Sequence, residues 1–243
     1  MAELLFFISA FIAEVIGTIV GFGSSTIFLP LALFFVDFKT ALTLVAFFHI
    51  FGNLGRITFF RHGLDKKLIL IFGIPSIILT VIGALLVNYT PQDVLKLVLG
   101  VFLLVFSITS IVKPDFKFKP SNKNAVIGGG LSGFLAGLIG TGGALRGAFL
   151  SAFNLKKTVY IATAAAIALA VDMTRIPIYF GSGFLEPRFY VYLPFLFIIA
   201  IAGSYTGKKI VYKIPQSAFR RLVLGAIALI SLRFIYDGIL FLL

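Results

Sequence analysis

Apolar residues in this chain run in long unbroken blocks, not at the two-residue or 3.6-residue intervals that mark a half-buried strand or helix. The blocks cover about Leu4–Val36, Thr40–Phe60, Leu68–Asn88, Asp93–Val112, Ala125–Phe153, Thr158–Phe180, Phe189–Thr206 and Ser217–Leu243. Roughly 20 such residues cross ~30 Å of hydrocarbon, so the pattern predicts membrane helices. The longest polar interruption is Lys113–Lys123, KPDFKFKPSNK, with a proline near each end. It predicts a first membrane repeat over 1–112, a cytoplasmic linker over 113–123 and a second repeat over 124–243.

The halves resemble each other. A shift of 119 residues lays VGFGSSTIFLPLALFF from Val20 on IGTGGALRGAFLSAFN from Ile139, and Arg56-Ile57 on Arg175-Ile176. LVLG recurs at 97–100 and 222–225. The first block of each half is anomalous. Leu4–Val36 holds 33 residues, ~50 Å as one helix, and contains Gly17, Gly21, Gly23, Ser24-Ser25-Thr26 and Pro30. Gly137, Gly140, Thr141, Gly142 and Gly143 fall at the matching place in the second half. Clustered glycine with proline breaks helices, so each block is read as two shorter helices meeting at a glycine-rich tip.

Charge tests that reading. With eight plain crossings the loop lysines and arginines divide eight against eight, a poor result under the positive-inside rule. If the first block of each half returns to the side it came from, the division becomes 14 against two, Lys39 and Arg188. The expected fold is therefore an all-α integral membrane protein of two inverted repeats, each a broken or re-entrant first hairpin plus three transmembrane helices. Both termini are expected outside the cytoplasm, the basic loops inside it, and the chain in the plasma membrane.

Composition narrows the function. The 243 residues are 60% hydrophobic and 12% charged, with mean hydropathy +1.10, which excludes a soluble enzyme. No cysteine is present, and His49 and His62 are the two histidines; no metal centre, cofactor or nucleophile constellation is expected. The Met-Ala-Glu start lacks the basic region of a signal peptide, so the first block is expected to remain. A formal charge of +12 sits in loops between apolar blocks, so its expected partner is the anionic leaflet and not nucleic acid. A homodimer is compatible with the sequence, which sets no oligomeric state.

Irregular backbone survives at membrane depth where it is buried or lines a cavity. The tips, Gly21-Phe22-Gly23-Ser24-Ser25 and Gly140-Thr141-Gly142-Gly143, would offer free N–H groups, hydroxyls and positive helix ends to an anion. Gly129, Gly133 and Gly137, spaced by four, read instead as helix packing. Arg146, three residues past a tip with Ile27 as its counterpart, reads as an anion ligand or as the partner of Glu14. Arg56 and Arg175 read as gate or vestibule residues, with Asn53 and Asp172 beside them, or as side chains reaching for headgroups. Asp172 has the spacing for an ion pair with Arg175. Glu14 reads as a proton-coupling group or as a partner for Arg146, and His49 as polar packing or a proton relay. Lys96, Arg233 and Asp237 read as interfacial.

These features resemble the sulfite exporter TauE/SafE family, also called toluene sulfonate uptake permeases. The family carries a motif like G-x-G-G-G-x-x-x-x-P early in each half, matched here by Gly21-Phe22-Gly23-Ser24-Ser25-Thr26-Ile27-Phe28-Leu29-Pro30, with the typical run FGNLGRITFFRHGLDKKLI over Phe51–Ile69. Ser24 and Ser25 stand for family glycines, and the second copy, GTGGALRGAFL, has Arg146 inside and Phe149 where proline is usual. The resemblance implies outward transport of sulfite, a sulfonate or sulfoacetate. The expected function is a secondary transporter of such an anion by alternating access. The rival readings are a passive anion channel, a non-transporting membrane scaffold and a membrane-embedded enzyme.

Overall fold

In the computed structural model the described residues, which are 1–20, 23–60, 63–114, 118–210 and 216–242, with side chains of 216–220 excluded, form helices joined by short turns and include no strand. Ten α-helices follow in order: α1 Ala2–Val20, α2 Ser25–Ala32, α3 Phe38–Phe59, α4 Lys66–Leu86, α5 Gln92–Val112, α6 Asn122–Ile139, α7 Gly143–Leu150, α8 Lys157–Gly181, α9 Tyr192–Ile210 and α10 Gln216–Leu242. Polar residues between the apolar blocks set several of these starts. Asp37 accepts from the backbone N–H groups of Lys39 and Thr40 at 3.0 and 3.2 Å to open α3. Asp65 accepts from Leu68 at 2.9 Å to open α4, and Ser121 from Asn124 at 3.2 Å to open α6.

Both long first blocks are broken where the glycines cluster. α1 stops at Val20 and α2 resumes at Ser25; α6 stops at Ile139 and α7 resumes at Gly143. Gly23 and Gly140 adopt φ of 83° and 73°, a region glycine reaches without steric cost. The arms are unequal, with 19 residues against 8 in the first hairpin and 18 against 8 in the second. α1 alone is long and apolar enough to cross a bilayer, as are α3, α4, α5, α8, α9 and α10. α6, diluted by five glycines, is not among those seven.

The helices of the two halves interleave. α4 packs on α6, α1 on α9, α3 on α8 and α9, α4 on α8, and α5 on α10. One hydrophobic cluster joins Phe28, Phe48 and Leu99 to Leu196, Ile227 and Phe234, so the halves share a core. The closest seam is between α4 and α6. A Cβ at Gly129, Gly133 or Gly137 would strike the carbonyl oxygens of Phe72, Ser76 and Thr80. That proximity lets Ser76 Oγ donate to the Gly129 carbonyl at 2.9 Å, and Thr80 Oγ1 to that of Gly133 at 3.0 Å.

The ends of the bundle are fixed by contacts between loops. At one end Tyr192 donates to Glu3 at 3.0 Å, the Phe38 N–H to Gln92 at 2.8 Å, Thr40 to the Phe184 carbonyl at 3.3 Å, and Asn88 to Ser182 at 3.0 Å. At the other, the Asp65 N–H donates to Thr163 at 3.0 Å, Phe118 stacks on Phe149, and Lys208 lies over Phe59. Burial is inverted relative to a soluble protein. Ile74, Ile78, Val105, Leu229 and Leu232 are exposed, while Glu14, His49, Asn53, Arg56, Arg146, Asp172 and Arg175 are buried.

Candidate functional site

Among the described residues, two buried charge pairs and one cation without an ion-pair partner meet where the broken hairpins approach α3 and α8. On the first hairpin, Arg56 Nη2 lies 2.6 Å from Glu14 Oε1, and its Nε donates to Thr18 Oγ1 at 3.2 Å. Ser204 of α9 donates to the same carboxylate oxygen at 2.6 Å. On the second, Arg175 Nη2 lies 2.7 Å from Asp172 Oδ1 and its Nη1 donates to the Ala136 carbonyl at 2.7 Å. Tyr179 donates to the Gly137 carbonyl. Breaking α6 strands the carbonyls of its last turn, and Arg175 with Tyr179 supplies both the hydrogen bonds and the positive charge that this helix end favours.

Asn53 joins the two pairs. Its Oδ1 accepts from Arg56 Nη1 at 3.0 Å, and its Nδ2 donates to Asp172 Oδ2 at 3.3 Å. His49 Nδ1 stands 2.8 Å from that same Asp172 oxygen, at ion-pair distance. His49 Nε2 has no hydrogen-bond partner among the described residues. It points at Gly23, where an added Cβ would lie 3.0 Å from Nε2 and 3.8 Å from Arg146 Nη2.

The Arg146 side chain is 5% exposed and has neither ion pair nor hydrogen bond among the described residues. With Arg56, Asn53, Thr18, Gly23 and Tyr160 it borders a cavity of about 20 Å³, enough for a water-sized group. Gly147 and Tyr160 separate this space from a second, mostly apolar cavity of about 820 Å³ between α5, α6 and α7.

The structure redistributes the residues singled out in the sequence. Gly23, Gly143, Asn53, Arg56 and Arg146 border the small cavity. Thr141 reaches the other hairpin, its Oγ1 2.9 Å from Thr26 Oγ1. Ser24 is fully buried with its hydroxyl unpartnered among the described residues, and Ser25 is buried beside it. Gly140 and Gly142 have structural reasons to be glycine: the first has a positive φ, and a Cβ on the second would strike the Ser132 carbonyl. Gly21 and Phe22 lie outside the described residues.

Two expectations need correction. Glu14 pairs with Arg56 and not with Arg146, because the Arg56 side chain reaches from α3 to Glu14 and Thr18 on α1. Arg56 and Arg175 do not reach for headgroups; they are 5% and 1% exposed and joined through Asn53 and Asp172. The sequence reading missed Thr18, Ser204, Tyr160 and Tyr179. None carries a motif, and their only signal is a hydroxyl inside an apolar run.

Residues 6–234 match the model of the family described as sulfite exporter TauE/SafE. A curated protein named as a probable membrane transporter, from Methanocaldococcus jannaschii, is 26% identical over 262 aligned positions, covering 94% of each chain. No solved structure matches. With the seven apolar helices, these similarities make the protein a multi-pass membrane transporter.

Proposed function

Because the chain belongs to the sulfite exporter TauE/SafE family, we propose that it is a secondary transporter that exports a small sulfur-containing or organic anion by alternating access. The observation that carries the anion reading is Arg146, a buried cation at the edge of a cavity with no ion-pair or hydrogen-bond partner among the described residues. Isolated buried charge is costly, and a bound anion removes that cost. Gly23 and Gly143 bring backbone to the same space. The first turn of α7 receives no side-chain cap, so its N–H groups can turn toward an anion.

The inverted-repeat architecture is supported by the loop contacts. Glu3 and Phe38, at the two ends of the first hairpin, gather at one end of the bundle through Tyr192 and Gln92. Phe118 and Phe149, flanking the second hairpin, meet at the other. By sequence, 14 basic residues flank this second end against two at the first, which makes the second end cytoplasmic and both termini external. The small cavity lies toward that basic end, among the opening turns of α8 and the last of α3. On its other side Phe6, Phe28 and Phe48 pack ring against ring at 5.2 and 4.8 Å. A cavity nearer the cytoplasmic end and sealed from the outside suits loading from within, the direction of export.

Binding of sulfite and methanesulfonate to purified protein tests the reading. A charge-assisted contact is worth about 1.5–3 kcal/mol, so Arg146→Ala should weaken Kd roughly 10- to 100-fold. Full affinity in that variant would remove Arg146 from the site. Flux in proteoliposomes that never accumulates anion against a gradient would make the protein a channel.

A further inference from the structure

We propose that His49 is a proton site that sets the charge of the anion this transporter accepts, taking up one proton when a dianion binds and none when a monoanion binds. The proposal rests on the anion site described above and goes beyond it by assigning the coupled ion and the group that carries it.

The argument is one of charge balance in a closed space. Glu14 of α1 neutralises Arg56 of α3, and Asp172 of α8 neutralises Arg175 on the same helix. Arg146 of α7 is left over, so with neutral His49 these groups sum to one positive charge. A monoanion such as a sulfonate cancels it. A dianion such as sulfite or sulfate leaves one negative charge uncompensated inside the protein, which is expensive in a low-dielectric site. Behind Gly23, at the edge of the cavity, stands one more group that can change its charge in the physiological range, His49.

Its geometry fits the task. His49 is 3% exposed and is held between Asp172 and Gly23, which borders the cavity. Nδ1 stands 2.8 Å from Asp172, which supports a positive ring. Nε2 is unpartnered among the described residues and converges with the Arg146 guanidinium on Gly23, which borders the cavity. The remaining groups facing this centre are Asn53 and Arg56 on α3, Arg175 on α8, Glu14 through Arg56, and Tyr160 across the cavity. Arg56 and Arg146 oppose a proton on His49 while the site is empty. An anion in the cavity beside Arg146 offsets that repulsion, so the proton arrives with the second negative charge. Balance is complete: one dianion and one proton enter, and the net charge bound equals that of a monoanion.

The test uses sulfate and methanesulfonate as probes. Across about pH 5–8, where histidine changes charge, the first stays a dianion and the second a monoanion. Calorimetric titration of the full-length protein, repeated in buffers of different ionisation enthalpy, reports protons taken up per anion. The expected result is about one proton with sulfate, so that sulfate affinity rises close to tenfold per unit fall in pH on the alkaline side of His49's titration, and none with methanesulfonate. His49→Gln should abolish the uptake and the pH slope and weaken sulfate at least tenfold relative to methanesulfonate. Sulfate binding without proton uptake in the native protein, uptake that persists in His49→Gln, or methanesulfonate binding with equal uptake overturns the proposal. The native-protein measurement stands alone if the variant does not fold. Failure of both probes to bind, or full binding of both in Arg146→Ala, would strike the anion site itself.

Discussion

Arg56 and Arg175 stand at equivalent places 119 residues apart, yet their counter-charges come from different sources. Arg175 finds Asp172 one turn back on its own helix, whereas Arg56 has Asn53 there and reaches across 42 residues to Glu14. The first pairing is legible in the sequence because i,i+3 spacing fixes proximity; the second depends on how α3 lies against α1 and has no sequence signal. Removing one partner of a buried pair costs about 3–5 kcal/mol, and removing both costs less, because no lone charge remains. Glu14→Ala should therefore lower the unfolding midpoint in detergent clearly, and Glu14→Ala with Arg56→Leu should recover part of the loss. An unchanged midpoint in Glu14→Ala would mean that Arg56 is held by Thr18 and Asn53 alone.

Between elements, close approach is set by glycine, and here the sequence was informative about position but less so about purpose. The four-residue spacing of Gly129, Gly133 and Gly137 predicted a helix seam, and α4 occupies it. The sequence offers every tip glycine as a ligand contact; Gly23 and Gly143 border the cavity, while Gly140 and Gly142 meet demands of backbone conformation and packing. Sequence cannot separate those cases, since both require the absence of a side chain. The seam makes a graded prediction. Gly133→Val would drive a branched side chain into the Ser76 carbonyl and should abolish the monodisperse peak in gel filtration. Gly225→Ala in α10, where an added Cβ meets nothing within 4 Å, should be neutral or stabilise by up to about 1 kcal/mol. Equal tolerance of both would show that α4 and α6 are not in backbone contact in the membrane.

For the whole molecule, hydrophobicity makes the membrane class plain, while the crossing number depends on two short arms. α2 and α7 have 8 residues each, ~12 Å at the helical rise, less than half a bilayer. Counted as full crossings, they put the loops after them on the wrong side and spoil the charge asymmetry; counted as returns, they restore it. A chain without cysteine takes single reporters cleanly, so the choice can be read directly. Ser121 and Lys156 are exposed on either side of the second hairpin, and Asn88 and Arg188 are exposed at the opposite end of the bundle. Asn154 is also exposed but has φ of 49°, so Lys156 is the less strained position for cysteine. An impermeant thiol reagent applied to intact cells should label cysteine at 88 and 188 and spare 121 and 156 until the membrane is opened. If 121 and 156 label from opposite faces, α6 and α7 together cross the bilayer. The cavity at Arg146 would then lie within one continuous span instead of beside a returning tip, and the anion site proposed at the break would lose its structural basis.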